Sequence, residues 1–321
     1  MNWSKHSRYA RIAVLALALV GSAAFSQETL KLAVGQRGNW DTSVPELGQR
    51  AGIFKKRGLN LELVYTQGGG ETQQAVISGS VDIGIAAGAV GVIGAYVKGA
   101  PVRVLGSETT GAADYWYVPA ASPIKSLADT TGKTMAYSTN GSSTHSIVQQ
   151  FVKQSGAKPK LTATGGPAAT FTQVMSGQID VGWSAPPFGL EAMEQGKIRV
   201  IARGNDIPTI KNQTVRFVIV NAAVLEKRKE AIARFMQAYR ETVDWMYSNP
   251  QAMTIYAEFA KVTEAQAKRV RDEFFTKDML DPDRIIGLET TLADAYAGKF
   301  IPSPMTKEQI AGLIQLQTPL K

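Results

Sequence analysis

Two stretches 98 residues apart share one pattern. Val76–Ala87 (VISGSVDIGIAA) and Val174–Ala185 (VMSGQIDVGWSA) both read V-x-S-G-x-h-D-h-G-x-small-A, where h is aliphatic. That period is too long for a solenoid and has the size of a duplicated lobe. The flanks repeat as well. A strand expected over Leu30–Gln36 matches one over Thr134–Thr139, and a second pair (Leu61–Thr66, Leu161–Thr164) ends in Gly68–Gly70 and Gly165–Gly166. Each then enters a helix expected to stop at Ser78-Gly79 or Ser176-Gly177, glycine being the usual residue just past a helix end. Helices at Val90–Lys98 and Phe188–Gln195 and strands at Val102–Leu105 and Ile198–Ile201 follow. Strands alternating with helices predict mostly parallel sheets covered on both faces, an α/β fold of two lobes.

The repeated Asp82 and Asp180 stand at helix-to-strand turns, opposite the end where such sheets bind ligands. Capping of backbone N–H groups is therefore the expectation for them rather than catalysis. After the second lobe a strand (Val215–Val220) precedes helices at Lys229–Ser248, Gln251–Lys261, Thr263–Lys277 and Thr306–Gln315. Ile232, Phe235, Met236, Tyr239, Val243 and Met246 give the first an apolar stripe. Since the repeat has ended, this region is expected to return to the first lobe, so two crossings would form a hinge. The organisation is thus 1–26 leader, 27–113 first lobe, 114–211 second lobe and 212–321 return.

The leader reads as a secretory signal. Lys5, Arg8 and Arg11 precede the apolar run Ile12–Val20, and Ala24 and Ser26 suit a cleavage site before Gln27. Nine apolar residues are too few for a span that needs about 20. The chain has no cysteine, which excludes disulfides, thiol catalysis, thiolate metal sites and a lipid anchor on a cysteine after the leader. A periplasmic protein that is not a lipoprotein is expected. With the leader cations gone, 32 basic residues face 27 acidic ones, a mild surplus without the clustered basic face that nucleic acid requires.

Open parallel sheets bind ligands beyond the carboxyl ends of their strands. Here these are Arg37–Asp41, Gln67–Glu71, Ala87–Val90, Asn140–His145, Thr164–Pro167 and Ser184–Pro187. Several run into helices, whose free N–H groups suit an anion. Gly69, Gly70, Gly88 and Gly166 allow close approach to the backbone. Asn140, Ser142, Ser143 and Thr144 offer hydrogen bonds at a helix start, with plain N-capping as the competing role. Arg37 and Asn39 follow the first strand, Pro186 follows the repeated one, and Arg37 has the fork to hold an anion in two places. Arg216, entering the return strand, is the lesser arginine candidate. Trp40 at the first strand's exit, Trp116 in the segment leading into the second lobe and Trp183 at the end of the repeated strand predict an aromatic wall for an organic acid, the competing role being core packing. His145 reads as a helix-face residue, and no catalytic constellation or metal set can be built around it.

The chain resembles the solute-binding proteins of the nitrate, sulfonate, taurine and bicarbonate class of ABC importers. The resemblance rests on Leu30–Val34, GIFKKRGLNLELV (Gly52–Val64), GGGETQQAVISGSVDIG (Gly68–Gly84) and SPIKSLADTTGKTMAY (Ser122–Tyr137). It implies a type II-like periplasmic-binding-protein fold with a ligand cleft between lobes. It also implies delivery of a small anionic ligand to an inner-membrane permease driven by a cytoplasmic ATPase. Relatives by fold that make the thiamine pyrimidine look to need a cysteine-rich loop and a histidine, and this chain lacks the first. A monomeric, cofactor-free binding protein is the leading reading. An enzyme on the same fold and a ligand-presenting sensor are the alternatives.

Overall fold

The computed structural model describes residues 27–317, so the leader lies outside the described residues. Ten strands follow in chain order. They are β1 (Glu28–Gly35), β2 (Leu59–Thr66), β3 (Ile83–Gly88), β4 (Val102–Thr110) and β5 (Tyr115–Pro119). Then come β6 (Thr134–Tyr137), β7 (Lys160–Ala163), β8 (Gly182–Ser184), β9 (Ile198–Arg203) and β10 (Thr214–Asn221).

The first lobe is a five-stranded sheet in the order β2-β1-β3-β10-β4. β10 runs antiparallel to both neighbours, while β1 is parallel to β2 and β3. In the second lobe β8-β5-β9 form one sheet and β6-β7 a pair. A parallel bridge between Met135 and Val181 joins them, giving β7-β6-β8-β5-β9. The two orders correspond strand for strand. In each lobe the antiparallel fourth strand is the one that has just crossed from the other lobe.

The duplication reaches individual hydrogen bonds. Thr66 and Thr72 share one at 2.8 Å, and Thr164 and Thr170, each 98 residues on, share one at 2.6 Å. Asp82 accepts from the Lys31 N–H at 2.9 Å, and Asp180 from the Thr134 N–H at 2.8 Å. Both aspartates thus tie their strand to the first strand of the lobe, the backbone role expected of them. Gly79 and Gly177 take positive φ just past their helices (Gly69–Ile77 and Pro167–Met175), as their place at the helix ends predicts.

Alternation along β10 explains why its sheet is covered on both faces. Val218 and Val220 meet Phe235, Met236 and Tyr239 of the helix Lys229–Ser248, while Phe217 and Ile219 face Val76, Val92 and Ile93. Burying one such side chain contributes about 1.5–3 kcal/mol. The helix Lys229–Ser248 has the expected bounds, and capping boxes form at Thr263–Gln266 and Thr306–Gln309. The expected single helix over Thr263–Lys277 does not hold. It is α-helical over Glu264–Arg269, passes through a π turn at Val270–Phe274 and stops. There the Phe275 carbonyl accepts from the Tyr247 hydroxyl and the ring enters the core. β5 and the helix Leu288–Ala297 were not expected.

Candidate ligand-binding cleft

The two chain crossings lie side by side. The Gly111 N–H donates to the Gln213 carbonyl at 2.9 Å, Ala112 N–H to Asn205 Oδ1 at 2.8 Å, and Gly204 N–H to the Asp114 carbonyl at 2.8 Å. Arg216 sits just beyond the second crossing on β10, and its guanidinium is shared three ways. Nη1 donates to Asp41 Oδ2 at 2.7 Å, Nη2 to Asp114 Oδ2 at 2.6 Å, and Nε to Ser143 Oγ at 2.9 Å. One cation therefore links the first lobe, the first crossing and the second lobe. All four residues are buried.

A further carboxyl group, Glu108 on β4, is fully buried with neither oxygen hydrogen-bonded. Burial, reinforced by the Asp41 charge, pushes its pKa well above the usual carboxylate range. Burial likewise raises Asp41, with Arg216 opposing. Burial works against the Arg216 charge too, but Asp114, Asp41 and Glu108 outweigh it and push its pKa up.

Beside this cluster the lobes close on a small polar cavity. Its lining includes Gln36, Asn39, Thr42, Gly69, Asp114, Ser138, Ser142, Ser143, Thr144, Trp183 and Arg216. The space is about 10 Å³, close to the room one water needs. The helices Gly69–Ile77 and Ser143–Ser155 begin at its wall, bringing their positive dipole ends there. Direct bonds hold the lobes shut around it. Gly70 N–H donates to Thr139 Oγ1 at 3.0 Å, Gln73 Nε2 to the Gly141 carbonyl at 3.0 Å, and Gly166 N–H to Gln67 Oε1 at 3.1 Å.

The NMT1/THI5-like family model matches residues 47–253. The chain belongs to this family. Among curated relatives, a putative aliphatic sulfonates-binding protein of Escherichia coli (strain K12) is 29% identical over 179 residues, covering 54% of this chain and 53% of that protein. A 4-amino-5-hydroxymethyl-2-methylpyrimidine phosphate synthase of Saccharomyces cerevisiae is 23% identical over 234 residues, covering 66% of each. The match thus spans about half of the first relative's length and just under two thirds of the second's. Among solved structures, the alkanesulfonate-binding protein of Xanthomonas axonopodis pv. citri bound to MOPS superposes with a TM-score of 0.73 at 18% identity. It covers 90% of this chain and 98% of that one. The fold is that of periplasmic binding proteins, and no helix among the described residues is long and apolar enough to cross a membrane.

In this member of the NMT1/THI5-like family, the residues singled out from sequence divide into three groups. Asn39, Gly69, Ser142, Ser143, Thr144 and Trp183 line the cavity, as does Arg216. Their hydroxyls are already engaged. Ser142 caps its helix by accepting from the His145 N–H at 3.2 Å, and Thr144 Oγ1 accepts from the Ser138 N–H at 2.9 Å. Gly70, Gly88, Asn140 and Gly166 lie at the lobe contact. A Cβ on Gly88 would come within 2.6 Å of the Gly141 carbonyl oxygen, and one on Gly70 would overlap that of Asn140. These two glycines let the lobes approach each other, where the sequence suggested approach of a ligand. The remaining four lie elsewhere. Arg37 stacks over Phe259 at 4.3 Å and Tyr65 at 5.7 Å, away from the cavity lining. Pro186 is buried and does not line the cavity. Trp40 and Trp116 correct the expected aromatic wall, because both are core residues. Trp40 packs edge-on against Tyr256 and donates to the Tyr247 hydroxyl, and Trp116 packs against Phe151 and donates to the Ala136 carbonyl.

Asp41, Glu108, Asp114, Ser138 and Gln36 were missed as site residues. Asp41 lay within an expected loop, but nothing in sequence separates a buried acid from a solvated one. Asp114 had one usable signal, its place at the crossing between lobes. His145 stays outside the cavity lining. Its ring stacks on Tyr137 at 4.4 Å, its Nδ1 accepts from the Gly141 N–H at 3.2 Å, and burial lowers its pKa.

Proposed function

We propose that this protein is the periplasmic solute-binding component of an ABC import system. It captures one small organic anion, a carboxylate or sulfonate, between its lobes as a monomer and delivers it to an inner-membrane permease driven by a cytoplasmic ATPase. The observation that carries this reading is the closure of two lobes on a small polar cavity where two helices begin. Free N–H groups and dipole ends at such positions favour an anion. The sulfonate-binding relatives support the same class. Binding without turnover is favoured over the synthase-like alternative for two reasons. The chain has no cysteine, and His145 is occupied by the Gly141 N–H instead of facing the cavity.

A thermal-shift screen over nitrate, bicarbonate, and alkyl and aryl carboxylates and sulfonates tests it. A ligand bound only by the folded state adds RT ln(1 + [L]/Kd), about 2.7 kcal/mol at 100 times Kd. At least one of these anions is expected to raise the melting temperature and to be recovered unchanged. A screen in which none does so overturns the reading.

A further inference from the structure

We propose that the second lobe carries an additional ligand site, separate from the cleft between the lobes, that takes a neutral aromatic molecule bearing a hydrogen-bond acceptor such as a ketone oxygen. This goes beyond the anion reading above and does not depend on it.

The duplication shows how the site arises. In the first lobe the helices Gly69–Ile77 and Ala89–Val97 flank a groove that the second lobe fills. A Cβ on Gly70 would overlap the Asn140 carbonyl oxygen, one on Gly91 would overlap that of Gly141, and Gln73 donates to the Gly141 carbonyl at 3.0 Å. The matching positions, each 98 residues on, are Ala168, Gly189 and Phe171. All three line a groove of about 410 Å³ between the helices Pro167–Met175 and Leu190–Glu194. Here the reciprocal loop does not enter. Gly38 follows β1 as Gly141 follows β6, both at positive φ, yet a Cβ on Gly38 would meet only the Phe188 ring, at 3.4 Å. Among the described residues, every one that lines this groove belongs to the second lobe.

Its chemistry differs from that of the polar cavity, with which it shares no lining residue. Pro167, Phe171 and Phe188 make apolar walls, and the Phe171 ring lies 6.4 Å from that of Tyr117 on β5. Among the described residues no Lys, Arg or His lines the groove, and its one charged residue is Glu191, so an anion is disfavoured. The volume is that of a small-molecule site. Tyr117 supplies the selective group, being 1% exposed with a hydroxyl that has no hydrogen-bond partner. The other hydroxyls of the lining are engaged, Thr172 with the Ala168 carbonyl and Ser184 with that of Phe188. Buried polar atoms in native proteins nearly always find partners. An uncharged acceptor on a ring answers both features, with its face against the phenylalanines and its oxygen on the Tyr117 hydroxyl.

The test titrates two probes of nearly the same shape, acetophenone and α-methylstyrene, into the whole mature protein, followed by amide NMR. Acetophenone is expected to bind saturably, to shift the Phe171 and Gly189 amides, and to bind about three-fold or more tightly than its oxygen-free partner, as one neutral hydrogen bond allows. Tyr117→Phe is expected to bring that ratio to about one. Ala168→Trp, at an exposed helix position, puts an indole over the groove and is expected to weaken both probes at least ten-fold. Benzoate, the charged analogue, is expected to leave the Phe171 and Gly189 amides in place. Four results each overturn the proposal: acetophenone does not saturate, both probes bind equally to wild type, their binding survives in a folded Ala168→Trp, or benzoate takes the same groove as tightly. The wild-type ratio and Ala168→Trp decide if Tyr117→Phe does not fold. A failed anion screen would strike the reading of the cleft and leave these outcomes as they are.

Discussion

Arg216 and Asp114 face each other at 2.6 Å across the two segments that join the lobes. The same guanidinium holds Asp41 in the first lobe. Truncating it leaves two buried carboxylates without their counter-ion, a situation that typically costs about 3–5 kcal/mol. Arg216→Ala is therefore expected to unfold at a lower urea midpoint, with a deficit of that size at neutral pH. The deficit should shrink as the pH falls and Asp41, whose pKa burial already raises, takes up a proton. A variant within about 1 kcal/mol of wild type at neutral pH would show that the cluster is more hydrated than its burial indicates.

Ser143 is the point where that cluster reaches the second lobe. Its hydroxyl accepts from Arg216 Nε and does not cap the helix, a task Ser142 performs. Ser143→Ala is thus expected to act on closure more than on folding. A hydrogen bond to a charged group is worth about 1.5–3 kcal/mol, enough to shift a closed-to-open equilibrium more than ten-fold. Small-angle scattering should give a larger radius of gyration for the variant than for wild type. A ligand that compacts the wild type should compact the variant at higher concentration. Identical scattering curves throughout would remove Arg216–Ser143 from the closing mechanism.

Glu108 makes stability depend on pH in an unusual direction. Its folded pKa stands above the unfolded value because burial, and then Asp41, disfavours the charge. Above about pH 4.5 the unfolded chain releases a proton that the native state keeps, so this residue's contribution falls as pH rises, by about 1.4 kcal/mol per unit until the native group also ionises. Glu108→Gln, neutral at every pH, is expected to flatten that slope and to be more stable than wild type at pH 8. Urea titrations of both proteins from pH 4.5 to 8 check it, and parallel profiles would mean that Glu108 is ionised in the fold.

How much of this was legible in the sequence follows from what each residue type signals locally. The lobes were, because a duplication repeats strand, turn and helix signals together, down to Asp82 and Asp180. The helix Lys229–Ser248 was, because six apolar residues at helical spacing mark one buried face of a long helix. β5 was not, since Tyr115–Pro119 is short and is stabilised only by pairing with β8 and β9, 60 or more residues away. In the cleft, Ser142, Ser143 and Trp183 follow from the rule about strand ends, but which of three tryptophans faces a cavity depends on packing partners such as Tyr256 and Phe151. The cluster at Arg216 was hidden for the same reason. Asp41, Asp114 and Arg216 are separated by scores of residues, and only the two crossings bring them together.

Gly70 offers a test in which local and global effects have opposite signs. It lies in the first turn of the helix Gly69–Ile77, where alanine is preferred to glycine by up to about 1 kcal/mol. The lobe on its own should therefore gain from Gly70→Ala. In the closed protein the added methyl group would overlap the Asn140 carbonyl oxygen across the cleft, and that oxygen belongs to backbone that cannot rotate away. The bond from the Gly70 N–H to Thr139 Oγ1 would be strained with it. The variant is thus expected to melt at or above the wild-type temperature without ligand, yet to show a larger radius of gyration and at least ten-fold weaker ligand binding. Gly88→Ala, aimed at the Gly141 carbonyl from the same lobe, should weaken binding in the same way. Its backbone is already extended at φ −61°, so no strain within the lobe confuses the result. If both variants bind as tightly as wild type, the working closed state keeps the lobes further apart at Asn140 and Gly141, and these glycines have some other role.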